Sequence, residues 1–305
     1  MSLKLTILGT NAAMPAHGRI TSSQVIENEQ YAYLIDCGEG TQIRLSEYKI
    51  KRNRIKAIFI SHLHGDHLFG LPGVITSFFH FNRASELTIV GPVGIKEYVT
   101  TVLRLSEAHM SFPLAFIEHN ALSKELLYQD SKVEVYAFPL NHRITTNGYL
   151  FKTKTRPPNL DKSKIEEFDL SITEIKQLKS SKDVHRPSGE VLMAEDFLIR
   201  NQKSVSYAYC SDTRYDESII PYIKSVNLLY HEATYDHSLA EKAKERGHST
   251  SLEAARIAKA AGADQLLIGH FSSKYRYPNE LLEEARREYE FTDLAYDGYI
   301  RYIAT

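Results

Sequence analysis

Between Ser61 and His67 the chain reads Ser-His-Leu-His-Gly-Asp-His, placing three imidazoles and one carboxylate within six positions. Few backbones can use such a segment. In extended or loop conformation His62 and His64 lie on one side and can clamp a single ion. Gly65 lets the chain turn, so that Asp66 and His67 present to a second ion nearby. Imidazole and carboxylate together suit zinc best among common metals, with iron and manganese also compatible. The competing interpretation, a solvated polar turn that happens to be rich in histidine, predicts this spacing on the order of once in a thousand such chains. The segment predicts a metal centre.

Four ligands are too few for two ions, and the rest of the chain supplies candidates with a shared context. His62 follows the apolar run AIFIS, His142 follows VYAFPLN, Asp212 follows SYAYCS and His270 follows QLLIG. Side chains at the carboxyl ends of neighbouring strands converge on one rim of a sheet, where binding sites of open α/β sheets lie. On that ground His142 completes the first site, His270 completes the second, and Asp212 is a natural bridging carboxylate. His17, His80, His109, His119 and His185 lack the context and are expected to be structural or exposed.

The strand-like runs KLTILGT, QYAYLIDCG, IKAIFIS, LTIVGP and KVEVYAFPL alternate with turns and helix-like segments in the first half. From Lys152 to Lys203 the chain becomes polar and is interrupted by Pro157, Pro158 and Pro187, with one amphipathic helix expected around Thr173–Lys179 and no apolar core of its own. Strands and helices then resume (SVSYAYCSD, VNLLYHEAT, SLEAARIAKAAG, DQLLIGH, NELLEEARREYE). This predicts a single α/β domain over residues 1–305 carrying an insertion at 152–203. With 305 residues, 43% of them hydrophobic, and a net charge of −1, nothing announces a nucleic-acid binder globally. Any basic surface must be local. Cys37 and Cys210 form no CxxC pair, which argues against a zinc knuckle or a disulfide framework. Without a signal peptide or a membrane-length apolar run, the expected location is the cytoplasm.

Together with LGTNAAMP near the start, IDCGEGTQ at 35–42, YCSDTR at 209–214, HEAT at 231–234, HST at 248–250 and HFSSKY at 270–275, the ligand pattern resembles the ribonuclease Z family of the metallo-β-lactamase superfamily. That resemblance implies an αββα sandwich with a dinuclear site at one edge of its sheets. It implies His62, His64 and His142 on one zinc, Asp66, His67 and His270 on the other, and Asp212 bridging, for two ions per subunit. Asp66 would be the proton acceptor, and His248 with Glu232 would act at the scissile phosphate. His248 follows Gly247 and precedes a helix-capping Ser249-Thr250, so a loop histidine there can be aimed into the site. Glu232 is placed to orient it.

The implied reaction is removal of the 3′ trailer from precursor tRNA by attack of a metal-activated hydroxide, leaving a 3′-OH on the tRNA and a 5′-phosphate on the trailer. The implied assembly is a homodimer in which one subunit's arm holds tRNA for the other's site. The 152–203 insertion falls where the family carries that arm. Between Lys152 and Arg186 nine Lys/Arg stand against six Asp/Glu, a mild basic bias sufficient for phosphate contacts. Ile172-Thr173-Glu174 stands near the place where many bacterial relatives have a Gly-Pro pair. A small-molecule hydrolase of the same fold would keep every ligand but has no use for an arm. An inactive RNA-binding scaffold would have lost ligands that are all present here.

Overall fold

Residues Ala32–Cys37 show how single strands dictate the architecture. Side chains of a strand alternate between its faces; here Tyr33 and Ile35 join one apolar cluster while Ala32 and Leu34 join another. Every residue of the strand is buried, so both faces must be covered by other layers. The computed structural model describes residues 2–155, 159–199 and 204–304; the basic residue Arg156 and the prolines 157 and 158 lie outside them.

The chain begins with β1 (Leu3–Gly9), β2 (Ser23–Glu27), β3 (Ala32–Cys37), β4 (Ile55–Phe59), β5 (Leu87–Pro92) and β6 (Leu114–His119). It continues through β7 (Glu125–Gln129), β8 (Val133–Leu140) and β9 (Thr146–Thr153), the two short strands β10 (Val184–His185) and β11 (Val191–Leu192), and then β12 (Ser206–Cys210), β13 (Leu228–Glu232), β14 (Leu266–Gly269), β15 (Thr292–Leu294) and β16 (Ile300–Ile303). The strands form two mixed seven-stranded sheets, ordered β16-β1-β2-β3-β4-β5-β6 and β15-β14-β13-β12-β9-β8-β7. Strands β3 to β6 are mutually parallel, as are β12 to β15.

Inner faces of the two sheets pack directly on each other: Phe59 meets Tyr149 and Phe151 edge-on at centroid distances of 5.4 and 5.2 Å. On the outer face of the first sheet, helices Leu71–His80 and Ile95–Leu105 bring Val74, Phe78 and Val99 onto Leu34, Ile58 and Ile89. Helices Ser251–Ala261 and Asn279–Glu288 cover the second with Ile257, Ala258 and Leu281. The result is the αββα sandwich that the family resemblance implied.

The chain divides into two compact units, Ser2–Thr153 with Val205–Ala304, and Lys154–Ser204. In the larger unit β9 and β12 pair directly up to the point of interruption, with Thr153 N donating to the Val205 carbonyl at 2.9 Å. The smaller unit corrects the expectation of a polar segment without a core. Leu160, Leu170, Leu178, Val184, Leu192, Ala194 and Phe197 are buried together, with Ile165, Phe168, Ile175 and Leu198 packed against them. These residues stand singly among charges in the sequence. They meet only because the chain folds back, Asp161 N bonding to the Phe197 carbonyl at 2.9 Å.

The expected amphipathic helix is present as Ile172–Lys179, joined by helices Lys162–Glu167 and Ala194–Phe197 and by the β10–β11 hairpin, none of which was expected. Ser171 and Glu174 form a capping box that starts the helix. The Glu174 carboxylate also accepts from Arg186 Nε at 2.7 Å. Arg186 and the cap together pull its pKa down to about 2.

Candidate active site

Strands β4, β8, β12, β13 and β14 all end at one rim, and the sequence-nominated side chains sit just beyond them. His62 lies after β4, His64 caps the short helix Gly65–Leu68 that carries Asp66 and His67, and His142, Asp212 and His270 follow β8, β12 and β14. Asp212 and His270 hold left-handed backbone conformations (φ 61° and 57°). Non-glycine residues rarely adopt these without compensating interactions.

The side chains meet in two sets that share Asp212. In the first, His64 Nδ1 lies 3.0 Å from His62 Nε2 and 3.3 Å from His142 Nε2, and Asp212 Oδ2 is 3.5 and 3.7 Å from the same two Nε2 atoms. In the second, His67 Nε2 and His270 Nε2 are 3.3 Å apart. Asp66 Oδ2 is 3.6 Å from each, and Asp212 Oδ1 is 3.1 Å from each. Each set satisfies the geometry of a metal-ligand cluster, His62-His64-His142-Asp212 and Asp66-His67-His270.

Outer hydrogen bonds decide which ring nitrogens face inward. His67 Nδ1 donates to Asp36 Oδ2 at 2.7 Å, and His142 Nδ1 donates to the Gly247 carbonyl at 2.7 Å. Ser61 Oγ donates to Asp36 at 2.9 Å, so at 3.0 Å it accepts from His62 Nδ1. Thr234 Oγ1 donates to Glu232 at 2.6 Å and accepts from His270 Nδ1 at 3.0 Å. With Nδ1 protonated in all four rings, four Nε2 lone pairs converge beside the Asp66 and Asp212 carboxylates. Facing lone pairs at this spacing repel unless a cation lies among them, and imidazole with carboxylate is a zinc donor set. The residues fit such a metal. Burial first, and then the neighbouring His67, His142 and His64 rings, push the His62 pKa well below its ordinary value against the pull of Asp212, so that ring stays neutral.

Around this geometry the comparisons with known proteins agree. The chain is 42% identical over 305 residues to ribonuclease Z of Cytophaga hutchinsonii, covering 100% of this chain and 97% of that one. Its fold superposes on the crystal structure of human tRNase Z, short form, with a TM-score of 0.70, 27% identity and 98% of each chain covered. The metallo-β-lactamase fold protein YhfI of Bacillus subtilis matches at a TM-score of 0.68 with 20% identity over 99% of each chain. The chain belongs to the ribonuclease Z family. Residues 3–155 also match the profile of the family Anti-Pycsar protein Apyc1, a span that contains the His62–His67 segment.

His248 and Glu232 form a pair beside these side chains. Nδ1 of His248 lies 2.9 Å from Glu232 Oε1 and 3.9 Å from Asp212 Oδ2. Glu232 is committed on every side, its Oε1 also accepting from Thr213 N at 2.7 Å and its Oε2 from Thr234, so it orients His248. Burial opposes charge on His248, yet Glu232, Asp212 and Asp66 raise its pKa to about 9. Gly247 must be glycine: its φ is 84°, and a Cβ would lie 2.7 Å from His142 Nδ1. A cavity of about 800 Å³ opens over these groups, lined among others by Asp66, Asp212, His248, His270, Phe69 and Arg143.

Sequence reasoning missed Asp36, the buried carboxylate behind His67. It accepts from Ser61 N at 2.7 Å and Tyr209 Oη at 2.6 Å besides the two bonds above. The signal was available, since Asp36 follows the apolar run YLI at the end of β3 as the ligands follow theirs. Of the histidines set aside, His119 is buried with its Nε2 3.3 Å from the Tyr149 hydroxyl. None of His17, His80, His109, His119 and His185 joins a potential ligand cluster among the described residues.

Proposed function

We propose that this protein is a zinc-dependent endoribonuclease that removes the 3′ trailer from precursor tRNA. The observation that carries this is the sharing of Asp212, whose two oxygens each face one ligand set, with the His248–Glu232 pair alongside. Membership of the ribonuclease Z family supplies the substrate class. His62, His64 and His142 would hold one zinc, Asp66, His67 and His270 the other, and Asp212 both. When bound, two such ions supply Lewis acidity at a phosphate and acidify water toward neutral pH.

The chain's own groups do the rest. Asp66 is the proton acceptor, with Oδ2 held at 2.8 Å by the backbone N–H of Ala13. His248, protonated and oriented by Glu232, neutralises charge on the phosphoryl oxygens and protonates the departing ribose 3′ oxygen. The ribose 2′-OH takes no part as nucleophile, so the tRNA ends in a 3′-OH and the trailer begins with a 5′-phosphate. The unit at 154–204 serves as the tRNA-binding arm, presented in a homodimer to the other subunit's site. No helix among the described residues is long and apolar enough to cross a membrane, and the proposed location is the cytoplasm.

End-mapping of the products from one precursor tRNA tests this. The expected result is a single cut with those ends, and much slower cleavage of unstructured RNA. A protein that hydrolyses a small phosphodiester but leaves the precursor whole is a small-molecule hydrolase instead.

A further inference from the structure

Phe69 lines the cavity beside His64 and Asp66, yet 65% of it is exposed, while its neighbours Leu68 and Leu71 are buried. An aromatic ring left in water forgoes the stabilisation that burial brings. The ring is nevertheless held in place. A Cβ on Gly65 would lie 2.3 Å from its Cε2 and 2.5 Å from its Cζ, so the ring rests on bare backbone in the middle of the His62–His67 segment. Met14, 58% exposed, lines the same cavity. Its neighbour Ala13 is tied to Asp66 by the backbone hydrogen bond described above. Arg143 adds a cation, its side chain packed beside Gly247.

Exposed aromatic faces beside a cation are what hold single-stranded nucleic acid. Rings stack on bases whatever their identity, and cations follow the phosphates. We propose that Phe69, with Met14 beside it, is a stacking platform for the unpaired base of a nucleotide flanking the cleaved phosphate. The site then positions its substrate by the flat face of a base and not by its hydrogen-bonding edge. It tolerates any base there but not the absence of one. This deepens the function proposed above and rests on it.

The test is a double-mutant cycle between ring and base on precursor tRNA. Phe69→Leu keeps an apolar side chain and removes the π-face; kcat/KM should fall roughly ten- to hundredfold, whereas Phe69→Tyr should stay close to wild type. An abasic residue on one side of the cleaved bond should lower wild-type kcat/KM by a similar factor, and Phe69→Leu should lower cleavage of that abasic substrate no further. 2-Aminopurine at the same position, next to a non-hydrolysable linkage, should be quenched on binding wild type and not Phe69→Leu. Losses that multiply independently at both flanking positions overturn the proposal. So does loss of bound metal from Phe69→Leu, which would make the ring a support for the ligand segment. Wild-type protein that cleaves no precursor overturns the functional assignment itself, and is recognised before any variant is compared.

Discussion

The larger unit and the 154–204 unit handle charge in opposite ways. In the larger one Asp36 and Glu232 are buried, and each is fixed from several directions, Asp36 by four donor groups from Ser61, His67 and Tyr209 and Glu232 by Thr213, Thr234 and His248. A buried carboxylate is tolerable only when so satisfied, and the same bonds leave it one position. Among the described residues of the smaller unit no helix exceeds eight residues, a small apolar cluster holds the elements together, and Lys176, Lys179 and Lys182 stand exposed. The contrast teaches a division of labour. The proposed chemistry sits where geometry is over-determined, and the proposed tRNA surface where lysines stand exposed.

The largest expected effect tests the over-determined side. His248→Ala should lower turnover by about 10²- to 10⁴-fold, the usual contribution of a positioned proton donor, with metal content unchanged. Because Glu232 raises the His248 pKa above its ordinary value, the protonated form persists below the raised pKa and is lost above it. Wild-type turnover should therefore fall as alkaline pH removes that proton. Glu232→Gln should move that fall to lower pH, and His248→Ala should abolish it. Loss of metal from His248→Ala would break the separation of His248 from the ligand set.

Asp36→Asn comes next. The amide keeps the shape but loses the charge that fixes His67, and metal affinity, read by chelator competition, should drop by about 10- to 100-fold. Unchanged affinity would mean that the ligands need no backing from β3. The smallest effect belongs to the other unit. Replacing Lys176, Lys179 and Lys182 together with alanine should weaken tRNA binding modestly and reduce the salt dependence of log K by roughly 0.7–0.9 for each phosphate that is no longer neutralised. Metal content should not move. A salt dependence identical to wild type would remove these lysines from the tRNA surface and leave the contrast between the units without a function.

Legibility in the sequence followed the same divide. His62, His64, Asp66 and His67 were readable from local spacing, and His142, Asp212 and His270 from their place after apolar runs, because parallel strands carry their ends to one rim. Asp36 obeyed that rule and was overlooked, since it has no histidine near it in IDCGEG to give a ligand spacing. The core of the smaller unit was invisible for a different reason. Leu160 and Phe197 stand far apart in the chain with charged residues between them, so no window of sequence shows them as neighbours.

By itself the sequence determined an α/β class, through apolar runs alternating with helix-like segments, and nominated seven side chains with metal-ligating chemistry. Both are local properties, residue type and periodicity. Only the tertiary structure decided that Asp212 faces two ligand sets with different oxygens, and that Ser61, Asp36, Gly247 and Thr234 turn four Nε2 lone pairs inward. It also decided that Phe69 lies open on Gly65 beside them. Those features depend on hydrogen bonds and packing that folding alone brings together: Asp36 and Tyr209 come from different sheets, and Gly247 reaches His142 across more than a hundred residues.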